Sequence, residues 1–173
     1  MLWLALLSWL GLSGAAPADP PSTGRCRDGR TWTTSTGQQT LMLGLVNEVR
    51  ADAARPPVQR HPVLDRMAMA HAVDMACRDY FDHRNPERQK LEQRLRSVDD
   101  GSLGAWQHLA EVIGTSDTAN RQLERWLGSR SHKRAVLLEE HDRVGVGLVR
   151  ITGSKWDTYW VVEFAALKPP FTR

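Results

Sequence analysis

The spacing of hydrophobic and polar residues changes along this chain near residue 144. Before that point, apolar residues recur at the three- and four-residue intervals of amphipathic helices. After it, Val144, Val146 and Leu148 alternate with other residues, and a β-branched and aromatic run follows over residues 158–165. A period of two and enrichment in such residues are typical of strands. The pattern therefore predicts helices first and an antiparallel hairpin at the end.

Five helical segments and one more strand are predicted before the hairpin. They are expected over residues 39–54, 62–80, 87–98, 118–127 and 132–138 for the helices, and over residues 106–113 for the strand. Pro56 ends the first helix because it disfavours helical backbone at the residue before it. Pro62 suits the first turn of the second helix, where a backbone N–H is not needed. Helices followed by a hairpin indicate an α+β domain built in layers.

The composition is that of one globular domain, and it argues against nucleic-acid binding. At 173 residues with 41% hydrophobic residues, the chain is long enough to bury a sizeable core. The 23 Lys and Arg residues are interspersed with the 20 Asp and Glu residues, which leaves a net charge of +3. Nucleic-acid binders usually group their basic residues on one face. We therefore expect one domain over residues 39–168 and no nucleic-acid partner.

Residues 1–18 have the features of a signal peptide. Residues 1–12 are mainly apolar and lack acidic side chains, and small residues follow them. Cleavage is expected after Ala18, because Ala16 and Ala18 place small side chains at both recognition positions. The alternative is an uncleaved leader that anchors the chain, although its apolar run is shorter than the about 20 residues of a membrane-spanning helix. No later segment approaches a membrane span, so a secreted or periplasmic location is predicted.

An irregular N-terminal arm is predicted over residues 19–38, which are rich in Pro, Ser, Thr and Gly. The two cysteines are Cys26 in this arm and Cys77 near the end of the second helix. They make an even count in a chain that is expected to reach an oxidising compartment. We predict a disulfide between them that fastens the arm to the domain. The alternative is two free thiols, with Cys77 simply buried.

Four residues with metal-binding or acid–base side chains form the candidate site: His83, Glu111, Glu124 and His132. Taken singly, each has an ordinary explanation. His83 follows a helix end, Glu124 neighbours Arg125, and His132 lies among basic residues, so surface roles would account for them. Glu111 interrupts an apolar stretch, which a solvent-facing strand position would explain. Together, however, the four would supply two imidazoles and two carboxylates to one polar cleft.

The other titratable residues give weaker signals. His71 and Asp74 lie one turn apart on the second helix, which indicates a partly buried, hydrogen-bonded histidine rather than a ligand. No second histidine follows His71 at the spacing of a zinc-protease helix. His108 and His141 have no obvious partner in the sequence. The Gly-x-Ser-x-Gly motif of many serine hydrolases is also missing from the sequence.

Several segments, in a fixed order along the chain, carry a family resemblance. They are residues 45–50 (LVNEVR), 70–83 (AHAVDMACRDYFDH), 110–113 (AEVI), 123–138 (LERWLGSRSHKRAVLL), 144–147 (VGVG) and 159–164 (YWVVEF). Together they resemble the CAP superfamily, which includes cysteine-rich secretory proteins, antigen 5 and pathogenesis-related proteins. They extend over residues 40–166, and the compact bacterial branch of the superfamily is the most similar.

The resemblance implies a three-layer α-β-α sandwich with a central antiparallel sheet. It also implies a cleft that holds a His-Glu-Glu-His tetrad, which falls on His83, Glu111, Glu124 and His132. The residues next to the tetrad depart from the family pattern. Ala110 and Val112 flank Glu111 where the family has Gly and Asn, and Lys133 follows His132 where the family has Arg.

Such a tetrad would combine metal binding with acid–base chemistry. Neutral imidazoles bind Zn²⁺, so His83 and His132 are the expected metal ligands, while Glu111 and Glu124 orient them or act as general bases. A catalytic zinc site normally has three protein ligands, so a two-imidazole site favours ligand binding over efficient catalysis. The leading hypothesis is a secreted CAP-domain protein that binds a divalent metal and an unidentified ligand. The family suggests lipid, peptide and cell-wall material as ligand classes.

Two alternative functions stay open at the level of sequence. One is a zinc-dependent hydrolase of peptide or cell-wall substrates, with Glu111 and Glu124 as its catalytic residues. The other is an extracellular interaction scaffold without catalysis, in which the tetrad only stabilises the fold.

Overall fold

The computed structural model describes residues 22–167, so the predicted signal peptide over residues 1–18 lies outside the described residues. The described part forms six strands and five helices. In chain order they are β1 (Thr23–Arg25), β2 (Thr31–Thr33), α1 (Thr36–Asp52), β3 (Gln59–Arg60), α2 (Pro62–Arg78), α3 (Leu91–Val98), β4 (Trp106–Gly114), α4 (Ala119–Gly128), α5 (Arg130–Leu137), β5 (Arg143–Ile151) and β6 (Thr158–Leu167). The mixture of helices and strands confirms the predicted α+β class.

The strands of the described residues form one sheet, whose order is β1-β2-β5-β6-β4. Neighbours along this path are antiparallel, and the short strand β3 pairs with β5 in parallel. The prediction of a central antiparallel sheet is confirmed, with this one parallel pair added. β4 is the last strand in the order, so its residues lie at one edge of the sheet.

Helices cover both faces of the sheet, which confirms the α-β-α sandwich. On one face, Val146 and Val162 pack with residues of α1, α4 and α5, among them Met42 and Trp126. On the other face, α2 packs against the sheet through residues such as Met75. α3 lies on the same side as α2 and shares a third apolar cluster with it.

Two glycines in β5 allow α2 to approach the sheet closely. A Cβ at Gly145 would lie 2.0 Å from the backbone carbonyl carbon of Leu64, and one at Gly147 would lie 2.4 Å from the backbone oxygen of Ala68. No larger side chain fits at either position without moving the helix. The alternation of residues in β5 therefore serves both faces of the sheet. The larger apolar residues pack against α1, α4 and α5, and the glycines leave room for the backbone of α2.

The N-terminal arm is more ordered than the sequence predicts. It contains β1 and β2, which pair with each other, and β2 also pairs with β5. Trp32 of β2 is buried and packs in the apolar cluster on the α2 side of the sheet. The prediction of an irregular arm is therefore wrong for residues 22–38, because strand pairing and a buried tryptophan give this polar segment a place in the sheet.

The predicted disulfide between Cys26 and Cys77 is confirmed. It joins the segment that follows β1 to the last turn of α2. Arg30 reinforces the same connection, because it donates a hydrogen bond of 2.9 Å to the backbone oxygen of Cys77 and pairs with Asp79 at 3.1 Å. The arm is thus held at the end of α2, directly before the segment that leads to His83.

Local side-chain hydrogen bonds set where two of the helices begin. Ser35 accepts a hydrogen bond from the backbone N–H of Gln38, so α1 starts earlier than predicted. α3 starts later than predicted, because the Asn85 side chain accepts a hydrogen bond of 2.8 Å from the backbone N–H of Gln89 and closes a turn. Arg88 within that turn has a φ of 64°, which a helix does not allow.

Candidate functional site

Glu111 is the centre of a buried cluster of charged and polar side chains. It lies in β4, and only 3% of its side chain is exposed. Nδ1 of His83 lies 2.8 Å from its Oε1, and Arg94 of α3 donates a hydrogen bond of 2.5 Å to its Oε2. Both oxygens of the carboxylate are therefore engaged.

Two carboxyl groups in this cluster have pKa values that are shifted in opposite directions. Burial raises the pKa of Glu111, but hydrogen bonds from His83 and Glu163 and the charge of Arg94 outweigh it and bring this pKa to about 2. Glu163 of β6 lies opposite Glu111 in the strand register and is fully buried. Its burial and the negative charge of Glu111 raise the pKa of Glu163 well above its ordinary value. This raised pKa favours the protonated, neutral form of Glu163 beside the charged Glu111.

The hydrogen-bonding environment of Glu163 supports this protonation state. Among residues 22–167, no N–H or hydroxyl donor reaches either of its carboxyl oxygens. The closest cation, Nη1 of Arg94, lies 3.7 Å from Oε1. A charged carboxylate without a hydrogen-bond donor is costly in a protein interior, whereas a carboxylic acid has its own proton to donate.

Arg94 supplies the positive charge that the buried carboxylate requires. Only 8% of its side chain is exposed, and it also donates a hydrogen bond of 3.3 Å to the backbone oxygen of His83. Neither Arg94 nor Glu163 is among the predicted site residues, although the sequence carries a signal for each. Arg94 shares the inward-facing spacing of Leu91 and Leu95, and Glu163 interrupts an apolar strand.

His71 of α2 holds the segment that carries His83. It is buried, and its Nε2 lies 3.0 Å from the backbone oxygen of Asp82. Because a carbonyl oxygen only accepts, Nε2 carries the proton and donates it. Burial lowers the pKa of His71 to about 4, so the ring is neutral at pH 7. His71 is thus a hydrogen-bonded interior histidine that fixes the residue next to His83.

His83 itself presents a defined face to solvent. Its side chain is 51% exposed, and its Nδ1 donates to the charged carboxylate of Glu111. In the neutral ring, the lone pair is therefore on Nε2. A carboxylate that fixes the tautomer in this way is typical of histidines that bind metals.

His132 and Glu124 make no hydrogen bond to this cluster within residues 22–167. His132 is a half-buried residue of α5, and its pKa is lowered first by burial and then by the charge of His83. The two rings are therefore near enough to interact electrostatically. Glu124 is an exposed residue of α4. The structure joins His83 to Glu111. The prediction that all four residues line one cleft stays a prediction.

The side chains around His83 fit a weak metal site better than a tight one. A zinc site normally takes at least three protein ligands. In the part of the chain that the structure describes, no group of three or more His, Cys, Asp or Glu side chains is arranged to hold a metal ion. Glu111 is unsuited as a third ligand, because His83 and Arg94 already engage its oxygens. The donors that fit a metal are the two imidazoles, of His83 and His132.

A comparison with protein families identifies the fold family of this domain. The family described as CAP, the cysteine-rich secretory protein family, matches residues 43–164. The chain belongs to the CAP family. The resemblance carried by the sequence motifs is confirmed, and the match includes all four tetrad positions.

Two curated relatives of this CAP protein come from Bacillus subtilis. YkwD is 26% identical over 120 residues, which are 69% of this chain and 45% of that protein. The membrane protein YlbC is 26% identical over 115 residues, which are 66% of this chain and 32% of that protein. The chain thus spans less than half the length of these relatives. No helix within residues 22–167 has the length and apolar character needed to cross a lipid bilayer.

Two solved structures share the fold of this CAP domain. An outer surface protein from Borrelia burgdorferi has a TM-score of 0.70 at 19% identity, and the match covers 79% of this chain and 98% of that one. An extracellular protein with an SCP domain from Bacillus anthracis has a TM-score of 0.65 at 24% identity, with 76% and 41% covered. At these identities the likeness shows the fold, so function must be argued from the residues of the site.

Proposed function

We propose that this chain is an extracellular binding protein whose cleft holds a divalent metal ion weakly and takes an unidentified ligand. The observation that carries the proposal is the contact of 2.8 Å between Nδ1 of His83 and Oε1 of Glu111. A buried charged carboxylate keeps an exposed imidazole in one tautomer, with its lone pair on Nε2. Lipid, peptide and cell-wall material are the ligand classes proposed for the cleft.

A location outside the cytoplasm is supported by three observations. Residues 1–18 have the pattern of a signal peptide. The disulfide between Cys26 and Cys77 fits an oxidising compartment. Proteins of similar fold carry names that describe them as extracellular or as outer surface proteins.

The state of Glu111 favours binding over hydrolysis. A general base works best with a pKa near the working pH and with free access to the proton that it removes. Glu111 has a pKa of about 2, and both of its oxygens already accept hydrogen bonds. Its role is therefore to orient His83. A zinc-dependent hydrolase would have to rely on Glu124, and an interaction scaffold would need neither glutamate.

His83, through its Nε2, and His132 would hold the proposed metal ion. A bound divalent ion would act there as a Lewis acid for ligand oxygens. Imidazole must be neutral to bind a metal, so the affinity is expected to fall below about pH 6. A flat affinity between pH 5 and 8 would contradict the proposal.

Calorimetric titration with Zn²⁺ tests the metal site directly. The wild type should give binding heats that the double variant with His83→Ala and His132→Ala lacks. His108→Ala removes an exposed histidine from another part of the surface and serves as the matched control, which should bind Zn²⁺ like the wild type. Equal heats for the wild type and the double variant would refute the metal site.

The two alternative functions predict different results with the glutamates. Hydrolysis of a peptide or cell-wall substrate that disappears in Glu124→Gln would favour the hydrolase. Partner binding that survives replacement of all four tetrad residues would favour the scaffold. The proposed binding function predicts no hydrolysis above background, and ligand affinity that falls when His83 or Glu111 is replaced.

A further inference from the structure

A second pair of polar side chains lies away from the tetrad, where His108 of β4 meets His141 in the segment before β5. Nδ1 of His108 lies 2.8 Å from Nε2 of His141. His141 is fully buried, stacks on Phe164 with a ring separation of 5.3 Å, and has its Nδ1 3.0 Å from the backbone oxygen of Ala135. His108, in contrast, is exposed.

These contacts determine the tautomer of both rings. The backbone oxygen of Ala135 only accepts, so Nδ1 of His141 carries a proton. Burial first, and the charge of His108 second, lower the pKa of His141 to about 4, so its ring is neutral and Nε2 has a lone pair. Nδ1 of His108 therefore donates to His141. The neutral His108 ring then has its lone pair on Nε2, where it can accept a hydrogen bond from a bound molecule.

His108 borders a cavity of about 460 Å³ between β4 and α5. A pocket of this size suits a small molecule. Ser131 and Arg134 line it from one face of α5, as the three-residue spacing of a helix allows, and Leu138 lines it directly after the helix. Ala110 of β4 adds apolar surface, and Glu140 adds a carboxylate.

The charged groups of this pocket are available to a ligand. Neither Arg134 nor Glu140 forms a hydrogen bond or an ion pair with another side chain between residues 22 and 167, and both are exposed. The pocket therefore offers one cation, one anion, a serine hydroxyl and an oriented imidazole around a small apolar surface. A molecule with separated positive and negative ends complements that set of groups.

We propose that this pocket binds the zwitterionic form of a short peptide with small side chains. Arg134 binds its carboxylate, because a guanidinium matches carboxylate geometry. Glu140 binds its ammonium group, and Nε2 of His108 accepts a hydrogen bond from one of its N–H groups. The small apolar side chains of the peptide lie against Ala110 and Leu138.

The pocket lies on a different face of β4 from the contact between His83 and Glu111. Ala110 packs with the apolar cluster on the α1, α4 and α5 side of the sheet, whereas its neighbour Glu111 contacts Arg94 of α3 and lies near His71 of α2. Successive residues of a strand point to opposite faces, so the pocket and the carboxylate of Glu111 lie on opposite sides of β4. His83→Ala should therefore leave unchanged the dipeptide affinity that is read from the ring signals of His108 and His141, and this result separates the two proposals.

Titration of isotope-labelled protein with L-alanyl-L-alanine, followed by NMR, tests the proposal. The ring signals of His108 and His141 should shift and saturate. The N-acetylated dipeptide lacks the ammonium group and the dipeptide amide lacks the carboxylate, so each should bind about tenfold more weakly than the free dipeptide. Equal binding of all three compounds would overturn the proposal, as would the absence of any shift at the solubility limit of the dipeptide.

Variants assign the binding to particular side chains. Arg134→Gln and Glu140→Gln should each weaken dipeptide binding about tenfold, and His108→Ala should weaken it as well. Lys133→Gln is the matched control, since Lys133 is a basic residue of the same helix that does not line this pocket. All four positions are exposed, so the variants should fold. Wild-type affinity in Arg134→Gln, or ring shifts that Zn²⁺ alone produces and the dipeptide does not, would refute the proposal.

Discussion

The two faces of β4 orient a surface histidine by different means. On the α2 and α3 side, the buried carboxylate of Glu111 holds His83, and it needs Arg94 for its charge and a protonated Glu163 beside it. On the α5 side, the buried neutral ring of His141 holds His108 and needs only one backbone oxygen. A charged orienting group thus requires compensating charges, whereas a neutral one requires burial.

This difference has consequences for stability. A buried ion pair is strongly destabilised when one partner is removed, because the other charge remains in the interior. A buried neutral histidine tolerates the loss of its hydrogen bonds better, but its protonation in the unfolded chain makes stability depend on pH. The two faces are therefore expected to respond differently to mutation and to acid.

The largest expected effect comes from removing the cation of the charged face. Arg94→Met should lower the free energy of unfolding by about 3–5 kcal/mol, since it leaves Glu111 as a buried charge without its main partner. Urea denaturation at pH 7 measures the loss. Arg96→Met changes an exposed arginine of the same helix, and it should be close to neutral. A loss for Arg94→Met of less than about 1 kcal/mol is typical of a surface ion pair, and it would contradict a buried ion pair between Arg94 and Glu111.

The buried neutral histidines should make the free energy of unfolding depend on pH. The pKa values of His71 and His141 fall from 6.5 to about 4 on folding, so their contribution is complete above pH 6.5 and is lost as the pH falls toward 4. Each should add a slope of about 1.4 kcal/mol per pH unit to the free energy of unfolding in that window. Denaturation between pH 4 and 7 measures the slope. His71→Gln and His141→Phe should each flatten it, and an unchanged slope in both would refute the assignment.

A smaller effect is expected from His141 at neutral pH. His141→Phe keeps an aromatic ring against Phe164 but leaves the backbone oxygen of Ala135 without its donor, so the free energy of unfolding should fall by about 1–2 kcal/mol. His108→Ala removes the donor to Nε2 of His141 from an exposed position that water can reach, so it should cost less than His141→Phe. Equal losses in the two variants would show that burial does not distinguish the two rings.

The last expected effect comes from Glu163, and it has the opposite sign. With a raised pKa, Glu163 keeps its proton in the folded protein above pH 4.5 while the unfolded chain releases it, so it lowers stability as the pH rises. Glu163→Gln removes the titrating proton and with it this effect, so the variant should be more stable than the wild type at pH 7. The gain should vanish near pH 4. A destabilised variant at pH 7 would indicate that Glu163 is charged in the folded protein.

The sequence predicted the elements of the fold better than the partners of the site. Helical spacing and the alternation in β5 were sufficient to place helices and hairpin, because side-chain periodicity reflects which face is buried. The sequence did not predict the strands of the arm over residues 22–38. β1 pairs with β2, and β2 pairs with β5, which is distant in the chain. His108 and His141 had no visible partner because they are 33 residues apart and meet only across the folded sheet.

By itself, the sequence determined the layered α+β fold, the disulfide between Cys26 and Cys77 and the membership of the CAP family. These depend on local periodicity, on the count of cysteines and on ordered motifs, all of which a linear chain carries. Only the tertiary structure decided which groups are charged. Glu111 is an anion and Glu163 an acid because strand register and the position of Arg94 place them together out of water, and protonation follows from that environment rather than from residue type.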